Sequence, residues 1–153
     1  MAYAVAWATA EDGGGLHERV GYFMLALIGL RAVWGLVGSR HARFSDFVSG
    51  PRRTLGYLRS LLTGKAKHYI GHNPIGGWMI LAMLTTLLAT AVSGIQTSNG
   101  GEVWEDLHEG LGALSLLLLL GHVGGVLVSS ALHQENLVGA MLTGRKTRRQ
   151  NDV

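Results

Sequence analysis

The sequence predicts an all-α integral membrane helical bundle, and three observations carry that prediction. First, charged side chains vanish from long stretches. Asp, Glu, Lys and Arg are absent from Asn73 to Gly101 and again from Gly110 to Gln134, and between Val20 and Ser39 only Arg31 interrupts an apolar run. Each stretch meets the ~20 residues that a helix needs to cross ~30 Å of hydrocarbon. Second, the remaining charges are sorted by sign. Arg40, Arg43, Arg52, Arg53, Arg59, Lys65 and Lys67 lie between the first and second apolar runs, and Arg145, Lys146, Arg148 and Arg149 follow the third. Eleven of the thirteen basic residues therefore share one side of a membrane. Glu11, Asp12 and Glu18 precede the first run, and Glu102, Glu105, Asp106 and Glu109 precede the third, which puts seven of the ten acidic residues on the other side. Third, the tripeptide Leu-His-Glu opens two of the three runs, at Leu16-His17-Glu18 and Leu107-His108-Glu109.

The elements follow in order. MAYAVAWATA is apolar but about half the length of a span, and it lacks the basic leader and complete cleavage pattern of a secretory signal. We read residues 1–12 as the outer end of a helix whose earlier residues precede Met1, which makes the chain an N-terminally shortened four-span protein. A short interfacial segment is the alternative. The first full span covers about 16–38 and runs inward. The loop 39–73 carries the excess of arginine and lysine that marks a cytoplasmic segment. Within it Leu55, Leu58 and Leu62 recur at helical spacing after Pro51, which predicts a short amphipathic helix on the membrane surface. The second span runs outward over about 74–97, with Trp78 near the interface. A Ser98-Asn99-Gly100-Gly101 turn returns the chain, and the third span runs inward over about 105–132. One domain, 1–146, thus ends in a basic cytoplasmic tail, 147–153.

Composition excludes several function classes. The charge sorting accounts for the basic balance without a nucleic acid. No cysteine is present, so disulfides, thiolate metal centres and covalently attached haem are excluded. A His-Glu-x-x-His metalloprotease motif would need histidine at 21 or 112, and both are glycine. No phosphate-binding G-x-x-x-x-G-K-[ST] loop occurs.

Of the seven histidines, three stand out. The first and third spans are parallel, so His17 and His108 lie at one depth and can offer two neutral nitrogens to a single metal from opposite sides. A bis-histidine haem needs that arrangement, together with room for a flat macrocycle. Gly21 and Gly112, one turn further in on each helix, would let a porphyrin approach the backbone. His122 lies fourteen residues beyond His108 and Arg31 fourteen beyond His17, so both sit ~21 Å deeper, near the inner leaflet. A histidine buried among leucines is a candidate ligand of a second haem, and a lone intramembrane arginine needs an anion such as a haem propionate. His41, His68, His72 and His133 lie at the basic interface and read as surface or lipid-facing groups.

These residues also carry a family resemblance. Leu16-His17-Glu18 with Gly21-Tyr22, Arg31-Ala32-Val33-Trp34-Gly35, Gly38-Ser39-Arg40-His41-Ala42-Arg43-Phe44 and Gly71-His72-Asn73-Pro74 resemble the bacterial cytochrome b561 and nickel-iron hydrogenase b-type cytochrome family. Trp104-Glu105, Leu107-His108-Glu109, His122 and the segment from Glu135-Asn136-Leu137 to Gly144-Arg145-Lys146 do so too. The resemblance covers about Ala6 to Lys146. It implies a four-helix membrane bundle with two b-type haems that passes electrons between a quinone pool and a redox partner, whether a soluble cytochrome or a hydrogenase or dehydrogenase subunit. Carried over, His17 and His108 ligate the outer haem and His122 the inner one. The family's other inner ligand, a histidine usually followed by tryptophan at the start of the first span, falls before Met1, so this chain completes the ligation of one haem only. Two readings from other classes compete. An ion-coupled transporter would use Arg31 and His122 as a relay, and a non-redox anchor subunit would tether a partner enzyme.

Overall fold

A computed structural model describes residues 1–11, 14–39, 42–63, 73–133 and 139. Helix α1 spans Ala2–Ala8, α2 Gly15–Val37, α3 Phe44–Phe47, α4 Pro51–Leu62, α5 Pro74–Thr97 and α6 Glu102–His133. Every described element is helical. Three of them, α2, α5 and α6, are long and apolar enough to cross a membrane.

Local signals set the boundaries. Pro74 at the first position of α5 gives up an amide hydrogen that a helix leaves unpaired anyway, and the Asn73 side chain accepts from the Gly76 amide at 2.7 Å. Helix α6 begins three residues before the expected start of the span near 105 and takes Glu102 and Glu105 into its first turn, where the positive end of the helix dipole favours them. Between α5 and α6 the chain turns through Gly100 and Gly101, whose φ angles of 93° and 123° suit glycine.

Burial is inverted relative to a water-soluble domain. Ile28, Phe47 and Tyr57 are the buried large apolar side chains among the described residues, whereas Leu30, Leu36, Val37, Leu117 and Leu120 are each more than 60% exposed. Contiguous leucine surfaces of this kind are stable against lipid and not against water.

Helices α5 and α6 form an antiparallel pair, α2 leans on α5, and α1 folds back along α2. No Cα of α2 comes within 8 Å of one in α6. The two helices that open with Leu-His-Glu therefore face each other across a gap rather than packing. One end of the bundle holds those openings and is called the histidine end below. At the opposite, loop end, α3 wedges between α2 and α5, with the Phe44 ring against Gly35 and the Phe47 carbonyl against Gly77. The interfacial helix α4 anchors on α5, its Tyr57 buried and its Leu55 and Leu58 exposed. Trp78 fastens the same region by donating from Nε1 to the Ser49 carbonyl at 2.9 Å.

Candidate functional site

The gap between α2 and α6 opens into a cavity of about 900 Å³ at the histidine end. That volume lies within the roughly 300–1,000 Å³ of sites that take large flat cofactors. His17 and His108 both line it, and so do Gly21 and Gly112. Nothing lies within 4 Å of where a Cβ would stand on either glycine. Side-chain-free backbone on two facing walls is the cradle that a planar ring system requires.

The two imidazoles face one another with ring centroids 6.0 Å apart and planes at 87°. A single iron bound by one nitrogen from each ring, with bonds of about 2 Å and roughly 1 Å more from each nitrogen to its ring centre, would set the centroids about 6 Å apart.

Each ring is oriented through Nδ1. That of His17 bonds the Ala6 carbonyl at 2.9 Å, and that of His108 bonds the Thr90 carbonyl at 2.8 Å. A carbonyl only accepts, so each Nδ1 must carry the proton and donate it. This fixes the tautomer and leaves Nε2 with its lone pair, the form that a metal ligand needs. Among the described residues neither Nε2 has a hydrogen-bond partner. The Ala6 carbonyl is available because the amides just past α1 turn elsewhere, Thr9 N–H to the Val5 carbonyl and Ala10 N–H to the Trp7 carbonyl, so His17 caps α1 while α1 aims His17.

Helix α1 is tied to α6 as well as to α2. Trp7 Nε1 donates to the Tyr3 hydroxyl at 2.7 Å, Tyr3 pairs with Ser115 Oγ at 2.8 Å, and Ser115 donates to the Gly112 carbonyl at 2.7 Å. With the Ser115 proton spent on that carbonyl, Tyr3 donates to Ser115. Four exposed carboxylates, Glu11, Glu18, Glu105 and Glu109, rim the cavity mouth.

The other two sequence-selected residues lie elsewhere. His122 is half-buried on α6, outside this cavity, with no hydrogen bond or ring contact among the described residues. Arg31 points to the loop end. Its guanidinium carbon sits 5.2 Å from the Phe44 ring centre and 5.8 Å from that of Phe47, and Nη1 donates to the Ala42 carbonyl at 3.4 Å. The structure thus brings His17, His108, Gly21 and Gly112 together and leaves His122 and Arg31 apart from them. His41, His68 and His72, the basic tail and the segment of the resemblance beyond α6 fall outside the described residues.

Three site residues escaped the sequence reading. Thr90, Ser93 and Gly94 of α5 surround His108, with Ser93 1% exposed and its Oγ 3.3 Å from Nδ1. A Cβ on Gly94 would stand 2.8 Å from the His108 Cε1. The signal was available, because Thr-x-x-Ser-Gly is a polar patch inside an apolar span, and polar groups at membrane depth mark functional sites.

Two imidazoles 6.0 Å apart, glycines on facing walls and a cavity of about 900 Å³ leave room for a b-type haem between His17 and His108. No curated protein and no solved structure matches the chain. The sequence profile of the family described as prokaryotic cytochrome b561 matches residues 1–144. With that match spanning nearly its whole length, the chain belongs to the prokaryotic cytochrome b561 family, whose members transfer electrons in membranes on b-type haem.

Proposed function

We propose that His17 and His108 are the axial ligands of a b-type haem in a transmembrane electron carrier. The observation that carries this reading is the pair of imidazoles 6.0 Å apart, each donating Nδ1–H to a backbone carbonyl and leaving Nε2 open. When bound, haem supplies one-electron iron chemistry at a potential set by its ligands and surroundings. The chain's part is to hold and tune it. The two carbonyls keep both rings in the ligating tautomer, Gly21 and Gly112 let a macrocycle lie close to the backbone, and the surrounding apolar helices keep the site dry.

His122 supplies one ligand of a second haem ~21 Å deeper along α6. Arg31 supplies a cation for that haem's propionates: four of its five N–H donors have no hydrogen-bond partner among the described residues. Charge sorting orients the bundle in a bacterial plasma membrane with loop 39–73 and the C-terminus in the cytoplasm and the histidine end outside. Electrons pass between the quinone pool and a redox protein as part of a respiratory chain. The carboxylate rim of the cavity suits a partner with a basic face, since complementary charge speeds encounter. Uninterrupted α2, α5 and α6 give no support to a transporter, whose sites are built at broken helices.

The test is a reduced-minus-oxidised visible spectrum of protein expressed with ample haem, with haem counted per chain. A low-spin b-type spectrum is expected. A colourless preparation would defeat the proposal, and with it the case against a bare anchor subunit.

A further inference from the structure

We propose that Ser93 and Gly94 of α5 are positioning residues for His108, with Ser93 governing how fully the Thr90 carbonyl accepts its Nδ1 proton and Gly94 the ring's place. The inference rests on the reading of His108 as a haem ligand and names what governs it.

Three groups converge on one side of the ring. The Thr90 carbonyl accepts from His108 Nδ1 at 2.8 Å and also from Ser93 Oγ at 2.9 Å. Ser93 Oγ lies 3.3 Å from the same Nδ1. Since the serine proton goes to the carbonyl, the hydroxyl competes with the imidazole for that acceptor, and its own direct contact with Nδ1 is long. This competition is sheltered, because Ser93 is 1% exposed and water does not level it. A carbonyl that accepts the full share of the Nδ1 proton pushes electron density onto the ring and makes Nε2 a stronger donor. A carbonyl shared with a serine does so less. His17 has no such competitor buried beside it: its carbonyl, on Ala6, is also approached by Thr9 Oγ1, but at 3.3 Å and from a hydroxyl whose nearer partner, at 2.8 Å, is the Val5 carbonyl. The two rings therefore differ in how fully their Nδ1 protons are accepted, with His108 sharing its carbonyl.

Gly94 acts through space. The His108 ring lies flat enough on α5 that an alanine methyl would meet Cε1 at 2.8 Å and Nδ1 at 3.0 Å, distances that force the ring to move. No flexible chain end is available to yield, since the nearest atoms belong to the imidazole itself.

The experiment compares wild-type protein with Ser93→Ala and Gly94→Ala, each purified with haem, by haem count, visible and electron paramagnetic resonance spectra, and spectroelectrochemical titration. Ser93→Ala should keep its full haem complement and shift the midpoint of the His17–His108 haem in the negative direction, because a Thr90 carbonyl freed of the serine makes Nε2 a stronger electron donor to iron, which favours the ferric state. A merely structural role for the serine would not move that potential. Gly94→Ala should lose that haem or convert its low-spin signal to a high-spin one. A Ser93→Ala midpoint identical to wild type overturns the proposal, as does Gly94→Ala with unaltered haem count and spectra. These results leave the haem assignment standing, whereas colourless wild-type protein removes both.

Discussion

The histidine end and the loop end of this bundle begin from the same sequence spacing and finish differently. At the histidine end two imidazoles meet across a cavity, and every ring nitrogen that must donate has a carbonyl to receive it. Fourteen residues along, His122 stands without a facing ring and Arg31 is drawn to Phe44, Phe47 and the Ala42 carbonyl. Ser130 Oγ, near the C-terminal end of α6, is buried with no partner among the described residues. The contrast shows that matched depth on parallel helices does not make a site. What makes one is a second element supplying acceptors: α1 through the Ala6 carbonyl and α5 through Thr90.

The comparison breaks most visibly if the histidine pair is cut. Replacing His108 or His17 with alanine should abolish the low-spin haem at that end altogether, because one imidazole cannot hold iron in a six-coordinate low-spin state. Pyridine haemochrome counting and the Soret band check it. Retention of that haem in both variants would show that the pair is not the ligand set. His122→Ala should leave the spectrum and midpoint of the His17–His108 haem at their wild-type values, since His122 lies outside that cavity. A change in the histidine-end signal on removing His122 would mean that the two ends act as one unit.

Much of this was legible beforehand. Charge-free runs as long as a span leave no alternative to membrane helices, and the spans appear as α2, α5 and α6. The repeated Leu-His-Glu gave the pair, because a tripeptide at the start of two parallel helices fixes depth. The Thr90–Gly94 patch was legible as polar, but the contacts of Ser93, Gly94 and the Ala6 carbonyl with the two histidines were not. Their roles depend on which face of α5 meets α6 and on how α1 folds back, and uniformly apolar helices carry little amphipathic signal to set either rotation. Arg31 illustrates the same point, since its sequence position gives its depth and its rotamer chooses the loop.

A smaller effect separates the packing of the two ends. Gly77→Ala and Gly35→Ala would drive a methyl into the Phe47 carbonyl and the Phe44 ring respectively, both at the loop end. Each should lower stability by about 1–3 kcal/mol, the usual range for forcing a methyl into a filled contact. Gly77→Ala should fall at the higher end, because its obstacle is backbone rather than a ring that can tilt. Thermal unfolding in detergent measures the loss. The haem signal from His17 and His108 should survive in whatever fraction stays folded, and its selective disappearance would refute the separation of the ends.

The smallest expected effect concerns α1. Tyr3→Phe removes the hydroxyl that accepts from Trp7 and donates to Ser115. Ser115 keeps its bond to the Gly112 carbonyl, so no donor is orphaned there, and Trp7 is 42% exposed and finds water or a headgroup instead. The net loss is then that of an ordinary hydrogen bond, about 1 kcal/mol. Its consequence is local. Tyr3 hydrogen-bonds α1 to α6, and α1 supplies the carbonyl that orients His17, so loosening it should weaken haem retention on the His17 side by at most roughly fivefold, since 1.4 kcal/mol is a factor of ten in an equilibrium. Competition for haem by apomyoglobin reads that ratio directly. A Tyr3→Phe protein that releases haem at the wild-type rate and extent would mean that α1 is held by its packing on α2 alone, and that the Ala6 carbonyl is positioned without help from α6.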